Sequence, residues 1–361
     1  MTAKALAFPP PRGDWPRAEP EWLGIDSIHL HRAIEGAKAR ETTAARDMAS
    51  YLEKILASQP CPDLLGPWRD AAGASGVVIC NGYLVAEWGD PEAIEMSFSV
   101  SKSYVSLVAG VAFDRGLIRD LRETVGALVD DPAFTGPVHS RITWEHLLYQ
   151  TSEWGGTLWD RPWWSDPQGK QARDHRLAEP GEVWAYNDVR INLLALALTR
   201  LWGRALPEVL VTEVLEPLDA SRTFEWHGYR NAWIELDGRT IPVVSGGAHW
   251  GAGVWANAYD HARIALLYLR RGLWGSRRLL SEVWIDSTTT PCTLNQDYGK
   301  LWWLNRRSVI FPAAPSTGFC ARGNLGRQLI WVDPARDLVV VSRWSDNVGA
   351  LLGAISDAIP S

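Results

Sequence analysis

The tightest local constraint in this chain is a pair of β-rich runs, GVVIC at 76–80 and YLVAEW at 83–88, joined by Asn81-Gly82. A two-residue hairpin turn of the type that matches strand twist needs positive φ at both central positions, and Asn-Gly meets that need at little cost. The spacing therefore predicts an antiparallel hairpin. A second pair of runs, QLIWVD at 328–333 and LVVVSRW at 338–344, flanks a turn at Pro334-Ala335-Arg336-Asp337. Strand signals thus sit towards both ends of the sequence.

The segments between read mainly as helix. In FSVSKSYVSLVAGVAFDRGLI, Val105, Val108, Ala109 and Ala112 recur at i, i+3, i+4 and i+7, which places one apolar stripe on a buried helix ending near Gly116. ITWEHLLYQTS reads as a short helix and INLLALALTRLWG as a longer one. Further helices are expected at about 258–272 and 348–358. Residues 26–57 also carry helical spacing, with Asp26 as N-cap. The economical architecture is α+β, an α/β sandwich. Residues 26–115 and 240–361 supply an antiparallel sheet flanked by helices, and 116–239 form a helical inserted lobe. Residues 1–25 are an extension whose proline-rich part, 1–22, is expected to wrap over the surface.

Composition narrows the partners. The net charge is −6 with no block of Lys or Arg, which speaks against nucleic acid or an anionic membrane and for a small-molecule substrate. No stretch approaches the roughly 18 apolar residues of a membrane span. The N-terminus lacks the apolar run of a signal peptide, so a cytoplasmic location is expected. Cys61, Cys80, Cys292 and Cys320 are scattered without metal or disulfide spacing and read as free thiols. The eight histidines form no zinc-binding pattern, and no P-loop or Rossmann glycine spacing occurs, so neither metal nor cofactor is expected. Tryptophan is abundant, 21 residues against 7 phenylalanines. Most are expected to fill the core, with some of Trp154, Trp159, Trp163 and Trp164 lining an apolar cleft.

The chemistry centres on Ser99-Val100-Ser101-Lys102. Residues three apart on a helix share a face, so the Lys102 amine reaches the Ser99 hydroxyl. That hydroxyl needs a neighbouring base to become a nucleophile. Lysine serves as the base if burial lowers its pKa, and a helix N-terminus favours a developing oxyanion. Ser101 and Ser103 lack a lysine at i+3, so the spacing selects Ser99. Tyr186-Asn187-Asp188 reads as a loop entering a helix, with Asn187 or Asp188 as N-cap. His249-Trp250 lies among glycines 246, 247, 251 and 253 and is placed on a cleft wall.

These segments resemble the serine β-lactamases, above all the class C and penicillin-binding group with its related esterases and 6-aminohexanoate-oligomer hydrolases. FSVSKSYVSLVAGVA resembles the family's nucleophile helix. ITWEHLLYQTSEW resembles the segment that follows it, with Glu153 where glycine is usual. PGEVWAYNDVRINLLALAL resembles the second motif, and GGAHWGAGVWANAYDHARIALLYLRRGLW the stretch lining the cleft. The resemblance implies a β-lactamase/transpeptidase-like fold and assigns Tyr186 to share a proton with Ser99 and Lys102. Asp188 stands where the family has asparagine, free to pair with Lys102 or to bind substrate. The third motif falls at Ser316-Thr317-Gly318 or, preferably, at Ala321-Arg322-Gly323. In the preferred register Arg322 is the nearby cation, and the Asn324 and Ser99 N–H groups form an oxyanion hole.

The resulting expectation is a serine hydrolase, an esterase or amidase, with Ser99, Lys102 and Tyr186 catalytic. Asp188, His249, Trp250, Arg322, Gly323 and Asn324 are expected at the substrate. The alternatives are a β-lactamase or D-amino-acid peptidase, an acyltransferase, and a non-hydrolytic binding protein on the same scaffold.

Overall fold

The computed structural model describes residues 8–9, 15–43, 46–170 and 173–359. Helices α1 (Ser27–Ala39) and α2 (Met48–Leu56) precede the hairpin β1 (Ser75–Cys80) and β2 (Tyr83–Trp88). Strand β3 (Glu95–Met96) leads through a 3₁₀ turn, Phe98–Val100, into α3 (Ser101–Asp114). The intervening stretch holds α4 (Trp144–Leu148), β4 (Thr157–Leu158), β5 (Arg161–Pro162), α5 (Asp188–Trp202), α6 (Leu206–Leu210) and β6 (Glu225–His227). Then come β7 (Trp233–Leu236), β8 (Arg239–Pro242), β9 (Gly253–Ala256), α7 (Ala258–Leu269), β10 (Leu273–Trp274) and β11 (Arg277–Arg278). The chain closes with α8 (Glu282–Thr288), β12 (Trp303–Leu304), β13 (Phe319–Gly323), β14 (Gln328–Asp333), β15 (Leu338–Arg343) and α9 (Val348–Ala358).

The two ends of the sequence build one six-stranded antiparallel sheet, ordered β12-β13-β14-β15-β1-β2. Strand β1 joins the halves: Val78 is paired with Val340 on one side and Ala86 on the other. Asn81 and Gly82 have φ of 52° and 84°, as their hairpin turn requires. Alternation decides what each face buries. Val78, Cys80, Trp331 and Val340 share a cluster with Ile34 of α1 and Leu351 of α9. Val77, Ile79, Ile330 and Val339 share the larger core with Val105 of α3 and Ile264 of α7. Both faces are therefore covered, and each buried aliphatic side chain contributes roughly 1.5–3 kcal/mol.

Asp26 caps α1, accepting from the His29 N–H at 3.0 Å. The stretch 26–57 is not one helix, however. Beyond Arg40, Thr42 N donates to Trp344 O at 2.9 Å and Glu41 bridges Ser345, tying the chain to the sheet. The β-branched pair Thr42-Thr43 weakens a helix at that point, and Asp47 restarts it by accepting from Ser50 N at 3.1 Å. In α3 every residue from Ser101 to Ala112 is buried, so the apolar stripe lies on a helix enclosed on all sides. Gly110 is needed there: a Cβ would lie 2.3 Å from the Trp284 indole nitrogen.

The stretch 116–239 is richer in strand than its sequence suggests. Hairpin β7–β8 turns at Asp237-Gly238, whose φ values of 50° and 71° repeat the chemistry of Asn81-Gly82. Strand β6 pairs with β9, which also pairs with β3, in a separate sheet. Of the proline-rich extension, 1–7 and 10–14 lie outside the described residues. Residues 16–18 run along β2, with Leu84 N donating to Pro16 O at 2.8 Å, and so cover a sheet edge. No disulfide joins any of the four cysteines. Among the described residues no helix is long and apolar enough to cross a membrane.

Candidate active site

Ser99 is held from behind by its neighbours. Ser97 N donates to Val254 O at 2.9 Å, and the Ser97 hydroxyl meets His261 Nε2 at 2.9 Å. Phe98 adopts φ 48°, unusual for a residue with a side chain. It is held there by packing, edge-on to Trp344 and among Met48, Leu52, Met96 and Trp255. Strain of this kind, over-determined by its surroundings, is found where a group must be presented in one geometry. Ser99 sits on the 3₁₀ turn just before α3, two residues ahead of the helix on which the spacing places it. The other two serines are structural. Ser101 Oγ accepts from Val254 N at 2.8 Å, and Ser103 Oγ donates to Leu301 O at 2.7 Å.

Lys102 is fully buried and donates to Ser99 Oγ at 2.9 Å and to Asp188 Oδ1 at 2.6 Å. Its pKa moves against the sequence-based expectation. Burial pushes the amine down, but the Asp188 carboxylate and Tyr186 beside it outweigh burial and raise the pKa above that of an ordinary lysine. Lys102 is an ammonium at rest. The Ser99 hydroxyl itself donates to Gly247 O, at 3.4 Å.

Asp188 opens α5. Asn187 is the N-cap, its side chain accepting from Arg190 N at 3.1 Å, and this leaves the Asp188 carboxylate free to face Lys102. Tyr186 presents its ring, with Lys102 Nζ 4.5 Å from the centroid. The ring packs on Trp303 (5.4 Å) and Tyr298 (6.1 Å), giving the site one aromatic wall. The direct hydrogen bonds of Ser99 Oγ run to Lys102 and Gly247, and Tyr186 approaches through Lys102.

Of the two third-motif registers, 321–323 lies beside the nucleophile. A Cβ on Gly323 would sit 2.4 Å from Ser97 O and 2.9 Å from Ser99 N, whereas one on Gly318 would meet Trp331. Asn324 follows at φ 47°. Arg322 stacks on Trp303 (5.1 Å) and Phe311 (5.8 Å), which occupies its guanidinium with aromatic faces. His249 is clamped between Gln59 and Gln168, at 2.6 and 3.1 Å. Trp250 does not line the cleft. It is fully buried, donates to Cys61 O at 2.8 Å and lies under Arg161. Trp154 and Trp163 are likewise core residues, a large indole being well suited to fill the space under α5.

Two members of the site escape a reading by motif. Asp166 is fully buried and accepts from Asp188 N at 2.6 Å. Burial raises its pKa, and Asp188 adds to the rise against the opposing effect of His249. Gly247 admits the second carboxylate oxygen of Asp188, which a Cβ would approach to 2.2 Å. The Asp-Pro pair at 166–167 is a turn signal, and it is the only hint of Asp166 in the sequence.

The chain has relatives among known proteins. The chain is 25% identical over 314 residues to an uncharacterised protein of Alkalihalophilus pseudofirmus, covering 75% of this chain and 83% of that one. It is 23% identical over 343 residues to the 6-aminohexanoate-dimer hydrolase of Paenarthrobacter ureafaciens, covering 83% and 81%. The fold superposes on the crystal structure of a family VIII carboxylesterase with a TM-score of 0.61 at 16% identity, covering 93% and 99%. Residues 66–350 match the family model described as Beta-lactamase, and the chain belongs to that family.

Proposed function

We propose that the protein is a serine hydrolase that cleaves an ester or amide bond of a small molecule through an acyl-enzyme on Ser99. The observation that carries this reading is the buried Lys102 amine, 2.9 Å from Ser99 Oγ and 2.6 Å from Asp188. As Ser99 Oγ attacks the carbonyl carbon, its proton passes to Lys102 and Lys102 yields one to Asp188. The oxyanion forms against the N–H groups of Ser99 and Asn324. The leaving group takes a proton from Lys102, through Tyr186, and Asp188 returns its own to Lys102. Water repeats the sequence on the acyl-enzyme.

A linear ester or amide is favoured over a β-lactam. Ala321 stands where the family carries the cation that meets a substrate carboxylate, and Arg322 is stacked on two aromatic rings. The similarity to a 6-aminohexanoate-dimer hydrolase points the same way. The test is labelling by a fluorophosphonate and turnover of p-nitrophenyl esters, linear amides and nitrocefin. Labelling and turnover that vanish in Ser99→Ala support the reading. Unchanged turnover in that variant overturns it, and fast nitrocefin hydrolysis by the wild type reverses the substrate order.

A further inference from the structure

Helix α2 and the bend after it border the Ser99 site and are tied to segments that touch Ser99. At one end the Tyr51 hydroxyl donates to Asn324 Oδ1 at 2.6 Å and accepts from Arg327 Nη1 at 2.9 Å. Asn324 follows Gly323, which packs on the Ser99 backbone. At the other end His249 Nε2 donates to Gln59 Oε1 at 2.6 Å, two residues beyond Gly247, whose carbonyl faces Ser99 Oγ. Between the ties, Met48 and Leu52 pack in one cluster with Phe98, while Leu56 enters the main core.

Met48, Leu52 and Leu56 thus form the buried stripe. Tyr51 and Ile55 repeat at the same four-residue spacing on the adjoining stripe, about 60° around the helix, and Gln59 lies in the bend that follows the last helical residue, Leu56. Tyr51 and Gln59 each reach a segment that flanks the nucleophile. Ile55 stands between them, held by Gln59 Nε2 donating to its carbonyl at 3.0 Å, with 39% of its surface exposed. Leu325, next to Asn324, is 87% exposed at φ 58°. Two exposed aliphatic side chains, Ile55 and Leu325, therefore stand on segments that neighbour the Ser99 turn.

We propose that Ile55 is a specificity-determining residue that receives an apolar chain of the substrate bound at Ser99. The inference rests on the acyl-enzyme reading above and names the substrate class: esters or amides with a linear aliphatic chain. The chain belongs to either the acyl or the leaving group, and two series separate these: p-nitrophenyl acetate to octanoate, and methyl to octyl acetate.

The readout is the ratio of kcat/KM for the longest to the shortest member. In one series, Ile55→Trp is expected to lower the ratio about tenfold and Ile55→Ala to raise it. The series that responds identifies the side. Ratios within twofold of wild type in both variants and both series, or moving in the same direction in both variants, overturn the proposal while leaving Ser99 as nucleophile. A wild type that neither turns over esters nor takes the fluorophosphonate label overturns both readings. Ile55 is exposed, so both variants are expected to fold, and thermal melts check this.

Discussion

Lys102 Nζ and Asp188 Oδ1 are 2.6 Å apart and both side chains are sealed from water. A buried pair of this kind is costly to break from one side, because the remaining charge is left without compensation. Asp188→Asn restores the residue usual in the family and removes the carboxylate that holds the Lys102 pKa up. We expect a loss of about 3 kcal/mol at neutral pH. In the wild type, the raised pKa gives stability that is fully present below the ordinary lysine range and is lost only as pH climbs through the folded value. In the variant, burial acts without Asp188, the folded pKa drops below the unfolded one, and stability rises with pH between the two. Urea melts at pH 7 and 9 test this: the Lys102 contribution is flat over that range in the wild type and rises with pH in the variant. The variant's kcat/KM is also expected to gain an acid limb, since its lysine must lose a proton before acting as base. Superimposable pH–rate profiles would exclude Asp188 as the proton reservoir.

Gly323 offers a second test at the same centre. Its missing side chain lets β13 press on the Ser97–Ser99 backbone, where a Cβ would meet Ser97 O at 2.4 Å. Gly323→Ala must displace either the strand or the nucleophile turn. A shift of about 1 Å costs on the order of 100-fold in rate. The expected result is a kcat reduced on that scale. Gly318→Ala, whose Cβ would strike Trp331 on the other face of the sheet, is expected to lower Tm with a much smaller change in kcat per remaining folded molecule. Equal losses of kcat would remove the special role of the 321–323 register.

The parts of this molecule that were legible from sequence are those fixed by neighbours in the chain. Asn81-Gly82, the Asp26 cap, strands β14 and β15 and the i+3 spacing of Ser99 and Lys102 each depend on a handful of adjacent residues. Asp237-Gly238 carried the same signal as Asn81-Gly82 and was equally readable. What the sequence hid are contacts between distant segments. Nothing near Asp166 announces that it accepts from Asp188 N, and nothing near Tyr51 announces Asn324. The Lys102 pKa failed for the same reason. Burial was inferable from the apolar helix, but the sign turns on Asp188, whose approach through Gly247 is a tertiary fact.

Glu153 shows the family pattern broken and compensated. It occupies the position where glycine is usual, and it does so at φ 46°, a conformation that suits glycine. Its carboxylate accepts from Arg190 Nη1 at 2.7 Å with both side chains buried. Burial lowers the Arg190 pKa and Glu153 opposes that effect. Glu153→Gly relieves roughly 1 kcal/mol of backbone strain but leaves a buried guanidinium without its partner, worth about 3–5 kcal/mol. The net expectation is a loss of about 2–4 kcal/mol in urea denaturation. Adding Arg190→Met is expected to recover at least about 1 kcal/mol of that loss. A strictly additive double variant would show that the pair contributes nothing as a pair.

His261 links acid sensitivity to the nucleophile turn. Its ring nitrogens meet Ser97 Oγ at 2.9 Å and the Tyr104 hydroxyl at 2.8 Å. Burial, with Arg343 adding to it, lowers its pKa from 6.5 to about 3. The folded state therefore binds fewer protons than the unfolded chain between those values, and stability falls as pH drops below the unfolded pKa. At pH 5 the resulting loss relative to pH 7 is about 2 kcal/mol. His261→Asn lacks this titration, so the stability gap between wild type and variant is expected to narrow by about that amount from pH 7 to pH 5. Other titrating groups cancel in the difference. A gap that stays constant would mean that His261 is not held neutral. Because Ser97 is two residues from Ser99, protonating His261 also loosens the turn that presents the nucleophile. Wild-type kcat per folded molecule is thus expected to hold at pH 5 and to fall only as pH nears 3, where the folded His261 takes up its proton, and a kcat that falls together with the stability at pH 5 would place another group at the turn.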